Sequence, residues 1–240
     1  MKKKSRIVLC GIMTLIMAFV MAMPVNASAE EKIINTSEEF TQAIETVKNG
    51  DTIKLGADIT QDITIPADLN IILELNGNTF TVKSVSGFMV KGELTVRDSS
   101  TEGNGTILYT YGNGTGAINV DSEEAKVIFE SGTVKSDENY GIYCSNGGTA
   151  IVNGGIIKSK YAALAGNNTT GNMHFNINGG TLTAENGPSV YMPGQGTLTI
   201  TDGVLNGGVS LRMGQVTISG GTINATTGNI EIKHMEIHLT

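Results

Sequence analysis

The chain has 240 residues, 31 of them glycine and none tryptophan, with 16% charged side chains and a formal net charge of −7. Many Gly, Thr and Asn with few charges fit a β-rich globular protein and exclude a disordered or long-helical one. The length allows one large domain.

The first 29 residues stand apart from the rest. Lys2, Lys3, Lys4 and Arg6 make a basic start, an apolar run extends from Ile7 to Met23, and Ala27-Ser28-Ala29 offers a small-residue cleavage site. That order predicts a signal peptide over 1–29, removed on export, rather than a lasting membrane anchor. Its loss leaves 12 basic and 23 acidic side chains, a net charge of −11. Such a surface repels phosphate backbones, so nucleic acid is excluded as a partner. Cys10 departs with the leader. Cys144 is then the only cysteine, and stability must come from packing and backbone hydrogen bonds.

Residues 30–56 read as an N-terminal cap. Thr36 and Glu39 are spaced as a capping box, Phe40, Ala43, Ile44 and Val47 share one helical face, and Asn49-Gly50 is a stop signal. The predicted helix covers 36–49 and leads into a strand at "DTIKL". It would cover the otherwise bare edge of the first coil.

Residues 57–240 repeat one phrase: apolar, x, apolar, x, small, Gly, x, apolar. It appears as "VIFESGTV" (Val127–Val134), "AIVNGGII" (Ala150–Ile157), "FNINGGTL" (Phe175–Leu182), "LTITDGVL" (Leu198–Leu205) and "VTISGGTI" (Val216–Ile223), with a looser copy from Leu94 to Ile107. The marker glycines Gly132, Gly155, Gly180, Gly203 and Gly221 are 23, 25, 23 and 18 residues apart, a solenoid period. Alternation gives strands with one inward face, and a coil this short has no room for a crossover helix. Equivalent strands must therefore stack in parallel, as in a parallel β-helix. Each coil carries a second strand: "GAINV", "YGIYC", "YAALA" and "PSVYM". Ile118/Val120, Ile142/Cys144, Ala163/Ala165 and Val190/Met192 are expected inward, which makes Cys144 a small core residue.

From about Ile53 to the C-terminus the pattern resembles the pectate-lyase-like right-handed β-helix superfamily, above all its glycine-rich secreted bacterial surface proteins. The resemblance implies an all-β, right-handed solenoid. It is weak for activity, because that superfamily includes lyases, hydrolases, adhesins and tailspikes.

Catalytic signatures of those enzymes are missing. Arg97 and Arg212, the only arginines after the leader, fall four or five coils apart, roughly 20 Å at the strand spacing, and cannot share a site. Asp98 and Asp202 are similarly separated. His174, His234 and His238 lack matching neighbours. Asp137, Lys160 and Glu185 occupy one column in consecutive coils. An alternating charge ladder on one exposed face explains them more simply than an acid–base pair does. The loops "DSSTEGNGT" and "NGTGAINVDSEE" match no calcium-binding spacing and read as turns. No catalytic residue, metal or cofactor is expected.

The tyrosines are more telling. Outward positions of the second strand run Asn119, Tyr143, Leu164, Tyr191, and the column before them Tyr140, Tyr161, Pro188. Tyr140, Tyr143, Tyr161 and Tyr191 thus gather on one outer region, a surface on which a sugar ring could lie. The leading expectation is an exported, non-catalytic protein of a bacterial cell surface that binds polysaccharide or another surface component. A β-helix lyase or glycoside hydrolase is the alternative, and a passive spacer the second. Asn229–Thr240 reads as strand to the last residue, an edge expected to pair with another chain or with further coils.

Overall fold

A computed structural model describes residues 29–112, 114–167 and 171–225, together with the strands Glu231–Ile232 and Ile237–Leu239. The leader expected over 1–29 lies, apart from Ala29, outside the described residues. So does His234.

The chain is an all-β parallel solenoid, a β-helix. Every strand pairing is parallel, and three columns of strands run along its length. The first column includes Thr52–Leu55, Asn70–Glu74, Glu93–Arg97, Lys126–Phe129 and Gly148–Val152, then the leading parts of Met173–Ala184 and Gly196–Asn206, then Gln215–Ile218. A second column holds the strands after the glycine corner, among them Thr133–Ser136 and Ile156–Ser159. The third is an eight-stranded sheet that contains Gly116–Val120, Tyr140–Cys144, Leu164–Gly166 and Val190–Met192.

Register turns the repeat into continuous ladders. Leu73, Val96, Phe129, Val152, Ile177, Ile200 and Ile218 follow one another in adjacent coils, and Leu94, Val127, Ala150, Phe175, Leu198 and Val216 form the parallel ladder beside them. All are buried except Ile218, which packs partly buried against the core. The marker glycines sit at φ between +73° and +106°, a region that costs a side-chain-bearing residue but not glycine. At Gly180 a Cβ would press on the carbonyl oxygens of Gly154 and Gly155, so the corner also needs the missing side chain for close stacking.

The N-terminus is closed by the helix Ser37–Thr46, shorter than the expected 36–49. Thr36 Oγ1 accepts from Glu39 N at 3.1 Å, and Glu39 Oε2 accepts from Asn35 N at 2.7 Å. Phe40 and Ala43 are buried beneath it, with Val47 beside them, and the Phe40 ring lies 5.0 Å from Phe80, which in turn lies 5.2 Å from Phe88. The helix stops at Val47, whose backbone is already extended, before the Asn49-Gly50 signal. An unforeseen strand, Glu31–Ile34, pairs with Thr52–Leu55 and covers the first edge. Four residues without strict alternation give little periodic signal.

The second strand of the coil needs one correction. Leu164 takes the expected place of Ala163 after Ile142 in the inward ladder, although Ala163 is itself buried in the core, and Ala165 follows Tyr143 in the outward column. Ser136 to Ile142 spans six residues but Ser159 to Leu164 only five, so this corner is one residue shorter and shifts the face by one.

Candidate functional site

The third sheet and the corner leading into it hold the tyrosines. Along the outward column, Asn119, Tyr143, Ala165, Tyr191 and Ser210 succeed one another. Tyr143 and Tyr191 are therefore two rungs apart, about 9.6 Å. The alanine between them, Ala165, is fully buried, so its neighbours close over the interval. Tyr140 reaches back over Tyr143, with ring centroids 5.1 Å apart and planes inclined by only 15°. Tyr161, on the short corner of the next coil, tilts against Tyr140 at 6.0 Å and 56°. Counting back from the pairing of Ile142 with Leu164 sets Ala162 opposite Tyr140, so Tyr161 lies one position earlier than the column expected with Tyr140.

Tyr140, Tyr143 and Tyr161 thus pack together on the outside of the solenoid, and Tyr191 stands two rungs from Tyr143 in the same outward column. Tyr140, Tyr143 and Tyr191 are half-buried, and Tyr161 is exposed at 44%. Burial, and then the neighbouring hydroxyls, push the Tyr140 and Tyr143 phenols upward, so both remain protonated donors at neutral pH.

Two further side chains frame the group. The Arg212 guanidinium lies 5.6 Å from the Tyr191 ring centroid, a cation–π contact at one end. At the other end Asn139 Nδ2 donates to Tyr111 O at 2.9 Å, and Tyr111 is 39% exposed. Both are legible in principle. The pairing of Met192 with Leu211 places Arg212 beside Tyr191, but the irregular steps between coils hide that register in the sequence. Beneath the edge, Asn119 is 4% exposed, and its Oδ1 has no hydrogen-bond partner among the described residues.

The charged candidates separate into structural roles. Asp137, Lys160 and Glu185 do follow one another by register, yet they do not pair with each other. Lys160 Nζ meets Glu138 at 2.7 Å, Asp137 meets Lys135 at 3.0 Å, and Glu185 meets Lys158 at 3.5 Å. The hydrogen bond to Glu138 holds the Lys160 ammonium above its ordinary range. Lys135 and Lys158 stack directly, so each takes the nearest acid two residues along or one coil on.

Arg97 does not pair with Asp98. Its Nε donates to Glu74 Oε2 of the preceding coil at 2.9 Å. Buried Glu74 also accepts from Asn76 N and Ser99 N. Asp98 accepts from Gly77 N, Gly105 N, Ser100 N and Ser100 Oγ. Burial alone would raise the Asp98 carboxyl, but these donors outweigh it and hold it below the usual range. The insertion "DSSTEGNG" is thus tied down by its own aspartate. Cys144 is buried and its thiol pushed up to about 12 by desolvation, which makes it a packing residue.

Comparison with models of known protein families, with curated proteins and with solved structures finds no match to this chain. Among the described residues no cluster of three or more His, Cys, Asp or Glu is spaced to hold a metal ion, and no helix is long and apolar enough to cross a membrane.

Proposed function

We propose that this is an exported, non-catalytic β-helix protein of a bacterial cell surface, which holds glycan on the tyrosine face. The observation that carries the reading is the juxtaposition of Tyr140, Tyr143, Tyr161 and Tyr191 on one outer region. Aromatic faces accept the C–H faces of sugars, while protonated phenols and the nearby amides supply hydrogen bonds to hydroxyls. The leader-like N-terminus supports export. The engagement of Glu74 and Asp98 by backbone donors supports a scaffold role for the best-placed carboxylates, since such groups are poorly disposed to proton transfer.

The test is a glycan array followed by titration of the hits. The chain has no tryptophan, so tyrosine emission reports directly on a group holding four of its six tyrosines. Tyr143→Ala/Tyr191→Ala should abolish binding while leaving the thermal midpoint nearly unchanged. Early unfolding of that variant, or binding that survives it, would show the rings to be packing residues.

A further inference from the structure

A second feature lies where the third column of strands turns into the first. Asn172, His174, Gln195, Thr197, Met213 and Gln215 line an open groove of about 600 Å³. Its wall is a register-built ladder: Thr149, His174, Thr197 and Gln215 follow one another on the outer face of successive coils. His174 Nδ1 lies 2.9 Å from Thr197 Oγ1, which fixes the imidazole plane against the wall. The floor is bare backbone. Gly196 and Gly214 both have positive φ, and a Cβ at either would run into the carbonyl oxygen of the preceding coil.

The chemistry of this lining is specific in kind. It offers three side-chain amides, a hydroxyl, an imidazole and a thioether, but no charged side chain. Among the described residues the Gln195 side-chain amide meets only the Met213 sulfur, at 3.9 Å, and a thioether is a weak acceptor. Glu123 Oε1 accepts from Asn172 N at the rim, so an anionic group would meet a carboxylate there. Such a lining suits an uncharged group rich in hydroxyls or amides.

The groove also adjoins the tyrosine face. Gln195 follows Tyr191 by four residues, and Met213 is the neighbour of Arg212, which stacks on Tyr191. Four extended residues span at most about 14 Å. We infer that the groove is a polar subsite for an uncharged sugar unit, and that one oligosaccharide crosses the corner from the tyrosines into it. The inference rests on the proposed glycan binding and adds to it a ligand charge, a path and a second set of residues.

The test compares short and long neutral oligomers on the intact protein: cellobiose with cellohexaose, and N-acetylchitobiose with N-acetylchitohexaose. The hexamer that binds should bind more tightly than its dimer. Gln195→Ala/Gln215→Ala should weaken the hexamer about tenfold, a loss of about 1.4 kcal/mol, and leave the dimer unchanged. The His174 imidazole proton resonances, assigned by their loss in His174→Gln, should shift with the hexamer alone and report the groove without any variant that risks the fold. Equal dimer and hexamer affinities, unaffected by the glutamine substitutions, would overturn the subsite while leaving the tyrosine face intact. Binding confined to charged glycans would overturn it too. Shifts of His174 with an uncharged Gly-Ser peptide and not with saccharide would assign the groove to polypeptide instead. Loss of all glycan binding on the wider array would remove both readings.

Discussion

Residues 30–139 and residues 140–240 build the same coil with opposite outer chemistry. The first stretch holds 19 acidic and 8 basic side chains, the second four of each. All the net charge left after the expected leader therefore belongs to the first half. Inside, nothing changes at the boundary, since Val96, Phe129, Val152 and Ile177 continue one ladder. Outside, the N-terminal corners are held by carboxylates. Asp51 takes the amides of Glu30 and Lys48, Asp98 those of Gly77 and Gly105, and Lys126 meets Glu93 at 2.7 Å. The C-terminal coils lean more on amides and hydroxyls, as in Asn178 Nδ2 to Asn153 Oδ1, Thr201 Oγ1 to Asn178 Oδ1, and Asn224 Nδ2 to Asn206 Oδ1, each at 3.0 Å, beside the single corner carboxylate Asp202 and the pair of Lys158 with Glu185. Inward ladders fix the fold, so the outer columns are free to take other work. The half without net charge is where the tyrosines and the groove stand.

The largest effect should come from the ladder both halves share. Ile177 is fully buried in it, and Ile177→Asp places an unpaired charge in a dry core. Cooperative unfolding should disappear, as followed by circular dichroism. Ile177→Ala should cost about 2–5 kcal/mol. Hydrogen exchange sharpens the comparison, because a solenoid's coils contact mainly their neighbours. If amides of residues 30–139 stay protected in Ile177→Asp, the acidic half is a folding unit of its own.

Acid should separate the halves next. Asp98 and Asp51 are both held below the usual value of 3.8, Asp98 by its hydrogen bonds overcoming desolvation, Asp51 chiefly by the backbone amides of Glu30 and Lys48. A depressed folded value means that the stabilisation is complete above the unfolded value and is lost as pH falls from there through the lower folded value. Exchange followed from about pH 7 down past the unfolded carboxyl value of 3.8 and on towards about pH 2 should therefore show the N-terminal corners loosening first. Asp98→Asn should cost about 1–3 kcal/mol at neutral pH and flatten that dependence. Equal loosening of the amide-held coils would contradict this division of labour.

The parallel coil and the outward tyrosines are readable in the sequence because alternation and the glycine interval are enforced by burial. The departures fall where burial does not set register. Leu164 takes the inward place because the corner before it is one residue short, and no side-chain pattern marks the length of a corner. Arg97 stands next to Asp98 in the chain, whereas strand stacking brings Glu74 of the preceding coil to it. The His174 groove is hidden in the sequence because its lining comes from three coils whose spacing is 23 and then 18 residues. Sequence shows each column once the step is known, but the step is decided by corners.

The smallest effects should come from the exposed ion pairs, and here the halves differ only through their surroundings. Lys126→Met removes the partner of Glu93, both about a third exposed, and should cost about 1 kcal/mol or less. Lys160→Glu is the more informative change. It sets a carboxylate against Glu138 and in register with Asp137 and Glu185, beside the exposed ring of Tyr161. These acids lie at the surface, where water and salt screen repulsion within about 8–10 Å. The thermal midpoint of Lys160→Glu should fall only slightly at low salt and return to the wild-type value in molar salt. Sugar binding should persist, since Lys160 touches no tyrosine in the stacked pair. A deficit that remains in high salt would mean that the lysine stem packs the corner, and that the neutral half also depends on a charged residue for its shape.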